Sequence, residues 1–148
     1  MCVADFEVIR GKIMAIQVVA EQEFIVGTPV VLEGAAPNGP FVAVFEDDGD
    51  TGYFYALDIS VEGNPFQDAV HIYNTANVTD REKPVIAAIG WSIDNKKVVL
   101  LINDYPHAIF DFDGKQGYCR TGFPPPNRNG EWSIGGHSWS ESAIDLFT

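Results

Sequence analysis

Two β-branched runs around a polar tetrad constrain the fold most. Val85-Ile86-Ala87-Ala88-Ile89-Gly90-Trp91-Ser92-Ile93 is followed by Asp94-Asn95-Lys96-Lys97 and then by Val98-Val99-Leu100-Leu101-Ile102. Such runs favour extended chain, and a short polar break between them reads as a hairpin. Val98 to Ile102 is apolar at every position, so that strand is expected to be central and covered on both faces. Asn103-Asp104-Tyr105-Pro106 turns the chain, His107 to Phe112 returns as a strand, and Lys115 to Gly122 adds one more. Upstream, Phe41 to Phe45 and Tyr53 to Val61 carry period-two alternation around the turn-rich Glu46-Asp47-Asp48-Gly49-Asp50-Thr51-Gly52. Alternation of that kind sends successive side chains to opposite faces of a strand. Lys12 to Val19, Glu23 to Val26 and Pro29 to Glu33 read as further strands. The expected class is α+β, mainly β: an antiparallel meander of about six to eight strands with one or two short helices packed on it.

The helices are expected in two places. Asn64-Pro65 offers a cap followed by proline at the first helical position, and Phe66, Ala69, Val70 and Tyr73 fall at i, i+3, i+4 and i+7. Ser138 and Glu141 have capping-box spacing and open a C-terminal helix through Leu146 and Phe147. The run Pro124-Pro125-Pro126 is compatible with neither helix interior nor central strand and reads as a stiff surface segment. No repeat, linker or low-complexity block divides the chain, so residues 1–148 read as one domain.

Charge narrows the partners. Nine Lys and Arg against 21 Asp and Glu give a formal charge of −12, which disfavours nucleic acid and an anionic membrane surface, both of which select for Lys and Arg. Met1 to Glu7 has no basic region leading into an apolar stretch, so no secretory signal is expected. Cys2 and Cys119 are too few for a disulfide framework and match no zinc or redox spacing. Reduced thiols and a cytoplasmic location follow as expectations.

Four blocks carry a resemblance: Phe45 to Leu57; Asp68 to Asn74 with Ala76 to Arg81; Leu101 to Ala108; and Gly117-Tyr118-Cys119-Arg120-Thr121-Gly122-Phe123-Pro124-Pro125-Pro126. Together they resemble a family of small bacterial domains of unknown function, over roughly residues 41–126. The resemblance implies a bacterial origin and lends no catalytic residues.

Neither frame of the acidic turn meets the calcium-loop requirement for glycine at position 6 and glutamate at position 12. His71, His107 and His137 are widely spaced and form no metal-binding pair, and no nucleophile elbow, phosphate loop or dinucleotide fingerprint is present. No metal and no cofactor are expected. The pattern points to a small acidic cytosolic binding protein that neutralises a basic protein, in its concrete form an immunity or antitoxin protein against a nuclease-type toxin. The partner-facing residues would be Glu46, Asp47, Asp48 and Asp50, with Asp104 and Tyr105 second. The alternative is a small-molecule site or enzyme on one sheet face using His107, Tyr105, Cys119 and Arg120; a third reading is an oligomerising domain with a self-complementary apolar patch. Tyr105, Trp132 and Trp139 are the aromatics expected to be exposed.

Overall fold

The computed structural model describes residues 4–9 and 12–148. In chain order its strands are β1 (Ala4–Ile9), β2 (Lys12–Phe24), β3 (Val30–Ala35), β4 (Phe41–Asp47), β5 (Thr51–Asp58), β6 (Phe66–Asn74), β7 (Val85–Trp91), β8 (Lys97–Ile102), β9 (Tyr105–Asp111) and β10 (Gln116–Cys119). Two short 3-10 helices, Thr75–Asn77 and Glu141–Phe147, complete it. The expected antiparallel, mainly β class is what the structure shows, with its strands divided between two sheets. One has six strands in the order β1-β2-β7-β8-β9-β10, the other four in the order β3-β4-β5-β6. Cys2 lies outside the described residues.

The β7–β8 hairpin has the expected place at the middle of the larger sheet, and its alternation assigns each side chain to one of two cores. Ala87, Ile89, Trp91, Val98, Leu100, Ala108 and Phe110 point toward the small sheet, where they meet Ala43, Phe45, Phe54, Ala56 and Val70. Ala88, Val99, Leu101 and Ile109 point the other way, against Met14, Ile16 and the 3-10 helix residues Ala143, Ile144 and Phe147. Strand β8 is thus buried on both faces, as its unbroken apolar run requires. Phe54 and Phe110 stack across the sheet–sheet interface with ring centroids 5.1 Å apart. The Trp91 indole nitrogen donates to the Gly34 carbonyl at 3.1 Å, tying the β7 core to β3.

The helix expected over Phe66 to Tyr73 is a strand, and two bulges explain the misleading spacing. The register passes from Gly52–Tyr73 to Tyr53–His71 and from Ala56–Asp68 to Leu57–Phe66, so β6 carries one extra residue at each place. Each extra residue sets same-face neighbours three apart, Phe66 and Ala69 on the open side and Val70 and Tyr73 toward the core, a spacing that imitates a helix although the four side chains share no face. Asn64 does accept a backbone hydrogen bond, from the Phe66 amide at 3.0 Å, but this turn enters a strand. At the C-terminus the expected helix exists as the 3-10 segment Glu141–Phe147, without a side-chain cap on Ser140. Glu141 is instead used by Arg120 and by the Trp139 indole, each 3.1 Å away. Trp132 corrects a second expectation: it is buried among Phe110 and Phe112.

Two carboxylates, one buried and one largely buried, hold the small sheet in place. Asp47 is 1% exposed and accepts from the Gly27 amide (2.8 Å), the Gly49 amide (2.8 Å) and the Tyr73 hydroxyl (2.6 Å). It therefore joins the β2–β3 loop, the β4–β5 turn and β6. Tyr73 reaches it by lying across Gly52, where a Cβ would stand 2.6 Å from the ring; only glycine permits that approach. Burial and then the Asp47 hydrogen bond push the Tyr73 hydroxyl far above its ordinary value. Asp68 on β6 accepts from Ser133 Oγ at 2.7 Å and faces His137 Nε2 at 3.0 Å, while His137 Nδ1 lies 2.7 Å from the Pro124 carbonyl. Both imidazole nitrogens face oxygen acceptors, an arrangement that favours the protonated ring. Burial opposes that charge, but the bonds to Asp68 and Pro124 outweigh it and hold the pKa above 6.5.

Two predictions follow from these carboxylates. Asp47→Ala should lose about 2–4 kcal/mol of stability in denaturant titration, since it strands three donors, whereas Asp50→Ala at the exposed turn should leave the midpoint close to wild type. The His137 contribution is fully present below its unfolded pKa of 6.5 and is lost as pH rises through its higher folded value. His137→Gln should therefore remove an alkaline decline in stability that the wild-type chain shows. His107 acts with the opposite sign: burial and then Arg120 lower it to about 4, so it costs stability as pH falls from 6.5 toward that value.

Candidate functional site

Strands β7 to β9 of the six-stranded sheet are buried on both faces, but the four-stranded sheet has a core face and an open one. Strand register puts Val31 opposite Glu46, Glu33 opposite Val44, Glu46 opposite Tyr53, Val44 opposite Tyr55 and Tyr53 opposite His71 on that open face. A row of five rings crosses it. Phe66 meets Tyr55 edge-on at 5.6 Å, Tyr55 lies near-parallel to Tyr53 at 6.0 Å, Tyr53 meets His71 at 5.3 Å and His71 meets Phe123 at 5.9 Å. The row ends are the most open, Phe66 at 52% and Phe123 at 49% exposure, and Val31 on β3 stands at 62%. Aromatic pairs of this spacing gain about 0.5–1.5 kcal/mol beyond burial, so the row is a preorganised surface.

Local structure explains how each ring arrives there. Tyr53 and Tyr55 are alternate residues of β5, and the β6 bulges set His71 and Phe66 on the same side. Phe123 comes from outside the sheet. The His71 amide donates to the Phe123 carbonyl at 3.0 Å, and the Thr121 hydroxyl donates to the His71 carbonyl at 2.6 Å. The segment after β10 thus covers the β6 edge and delivers its ring to the row. Tyr55 donates to Glu46 at 3.2 Å, and burial followed by the Glu46 charge pushes its hydroxyl up to about 12.

Two clefts open at the Phe123 end. The first, about 330 Å³, is lined by Thr51, Tyr53, His71, Asn74 and Phe123. The second, about 540 Å³, shares Thr51 and Asn74 and adds Val26, Gly27, Gly49, Asp50, Thr75, Ala76 and Arg81. His71 Nε2 lies 3.0 Å from Asn74 Oδ1, and the Thr75 hydroxyl is buried without a hydrogen-bond partner.

The electrostatics of this face are one-sided. Between Lys12 and Arg81 the chain has no Lys or Arg, while Glu33, Glu46, Asp48, Asp50, Asp58 and Glu62 all fall in that span. On the other side of the molecule the cations are offset: Lys97 pairs with Asp94 and Asp113, Lys115 with Glu131 and Arg120 with Glu141. The excess of acids therefore falls largely within residues 13–80, which include the whole small sheet and its turns together with most of β2.

The predicted partner-facing acids fare unequally. Glu46 lies on the open face and Asp48 and Asp50 are exposed in the β4–β5 turn. Asp48 accepts from the amides of Thr51 and Asp50 at 2.9 Å each, which holds its carboxyl below 3.8. Asp47 is corrected: its carboxylate is a buried structural hub with no solvent face. Asp104 and Tyr105 are exposed, but in the β8–β9 turn of the other sheet. Sequence reasoning missed Phe66, His71 and Phe123 as members of one surface; the long span without Lys or Arg marks the first two, and no sequence signal marks Phe123.

The alternative constellation is partly assembled. Arg120 is bracketed by the Tyr105 ring at 4.6 Å and the Trp139 ring at 3.8 Å, with His107 beside Tyr105 at 5.3 Å between ring centroids. Arg120 Nε and Nη1 bond the Pro106 carbonyl and Glu141, so the guanidinium locks the chain to itself. Cys119 points away into the main core. Ser133, Asp68 and His137 resemble a hydrolytic trio in type only: Ser133 gives its proton to Asp68 and accepts from the Gly117 amide at 2.8 Å, and the two His137 nitrogens face Asp68 and the Pro124 carbonyl, so neither is aimed at the hydroxyl as a base. Among the described residues no three His, Cys, Asp or Glu are grouped to hold a metal, and no helix is long and apolar enough to cross a membrane.

Comparison with known proteins gives a family without an assigned role. Residues 24–148 match the family described as "uncharacterized protein conserved in bacteria (DUF2251)". An uncharacterised protein of Haemophilus influenzae (strain Rd) is 36% identical over 127 residues, covering 85% of this chain and 78% of its own length. No solved structure matches.

Proposed function

The chain belongs to this family of uncharacterised bacterial proteins, and for it we propose a binding role: it docks and neutralises a basic protein through the open face of the four-stranded sheet. The observation that carries the reading is that four of the five rings, Phe66, Tyr55, Tyr53 and His71, belong to a span of chain that has acids and no Lys or Arg. Rings that are rigid and partly exposed serve as interface anchors, and a polar rim around them excludes water from the anchors once bound. An acidic field of one sign raises the association rate with a cationic surface by roughly 10–10³-fold and penalises partners of like charge.

In its most concrete form the partner is a nuclease-type toxin and this chain its cytoplasmic immunity or antitoxin protein. A nuclease needs a cationic cleft to hold a phosphate backbone, and an acidic plate with aromatic anchors is complementary to such a cleft. Asp48 and Asp50 supply charge at one end of the plate and Glu33 and Glu46 along it, while Asp47 supports the turn that presents them.

The test is capture from the native bacterium by the immobilised chain, then association kinetics with the identified protein in rising salt. A partner of pI above about 9 is expected, with an association rate that falls at least about tenfold between low and moderate salt. Charge reversal by Glu33→Lys with Asp50→Lys should slow association, and Asp104→Lys on the other sheet should not. A neutral or acidic partner, or equal effects at the two places, overturns the reading.

A further inference from the structure

We infer that the cleft between Thr51, Tyr53, His71, Asn74 and Phe123 is a socket for one guanidinium side chain of the partner, an inference that rests on the reading above. The size fits: about 330 Å³ is at the low end of ligand sites and suits a single long side chain. The walls fit as well. His71 stands at 68° to Tyr53 and 82° to Phe123, so successive rings present a face beside an edge, and a cation within about 6 Å of a ring face is attracted by its quadrupole. A planar guanidinium can stack on one such face while its N–H groups reach outward to oxygen acceptors.

Acceptors line the cleft in Thr51 and Asn74, and a carboxylate, Asp50, lines the cleft that continues from them. Asp48 lines neither cleft but is one hydrogen bond away, taking the Thr51 amide on Oδ1 at 2.9 Å. The Asp48 carboxylate stays ionised because the Thr51 and Asp50 amides hold its pKa down. No Lys or Arg is among the five lining residues. Arg81 lines only the second cleft, where it donates to the Thr75 carbonyl at 3.0 Å, so the ring half is the cation's end of the groove. The second cleft continues from Thr51 and Asn74 past Asp50 and the unpartnered Thr75 hydroxyl, which gives the backbone carrying the arginine somewhere to run. Elsewhere the chain brackets its own Arg120 between Tyr105 and Trp139, a filled example of the same chemistry.

The experiment titrates the isotopically labelled chain with N-acetyl-arginine amide and with its uncharged isostere N-acetyl-citrulline amide, following amide NMR shifts. Saturable shifts centred on Thr51, Tyr53, His71 and Asn74 are expected for arginine, with citrulline at least about tenfold weaker. Phe123→Leu and Tyr53→Leu should each weaken the arginine response several-fold in a chain that is still folded by its amide spectrum, since both rings are partly exposed. Equal binding of the two probes, or shifts centred elsewhere, overturns the socket. If the basic partner still binds Phe123→Leu with wild-type affinity while Glu33→Lys with Asp50→Lys impairs it, the socket falls and the docking face stands; if charge reversal also has no effect, both fall.

Discussion

Strands β7 to β9 carry apolar side chains on both of their faces, and everything else in the molecule follows from covering them. Two apolar faces leave water only if something packs on each side, at about 25 cal/mol per Å² of surface removed. The chain supplies a four-stranded sheet for one side and the 3-10 helix Glu141–Phe147 for the other. Having been spent as a cover, the small sheet keeps its own second face open, and among the described residues nothing lies over its ring row. The candidate site is thus the surface left over when the larger sheet has been buried twice.

The acids sort by the same logic. A carboxylate leaves water only where donors replace its hydration, and two sites meet that demand. Asp47 takes two loop amides and a tyrosine hydroxyl; Asp68 takes a serine hydroxyl and faces the His137 ring nitrogen. They are the clasps that fix the small sheet to its neighbours. Acids without such donors, among them Glu33 and Asp50, stay in solvent and set the field of the open face. One acidic turn therefore holds both kinds: Asp47 and Asp48 are consecutive, and one is buried while the other is exposed.

Much of the fold was legible in short-range pattern. The Val85–Ile102 hairpin, the Phe41–Asp58 hairpin and the two-faced burial of β8 follow from alternation and from apolar runs, which local geometry alone dictates. Strand β6 was misread because its bulges imitate a helical stripe, and bulges arise from pairing with β5, a partner that its own segment does not contain. Trp132 was misread for a related reason: a polar neighbourhood in sequence says little about a ring that folds back onto Phe110 and Phe112. Of the site, the acidic turn was visible beforehand, and Tyr53 and Tyr55 only as part of an alternating strand. Phe66, His71 and Phe123 were not, because their association is made across strands and across a loop.

By itself, then, the chain's order of residues determined that it would be an antiparallel β protein with a doubly buried central strand and a strong negative charge, since periodicity and composition are local or additive properties. Tertiary structure decided how many sheets there are, which of two adjacent aspartates sees water, and that five rings from three segments share one face. Those outcomes depend on register, bulges and edge pairing between segments far apart in the chain, and no window of sequence encodes them separately.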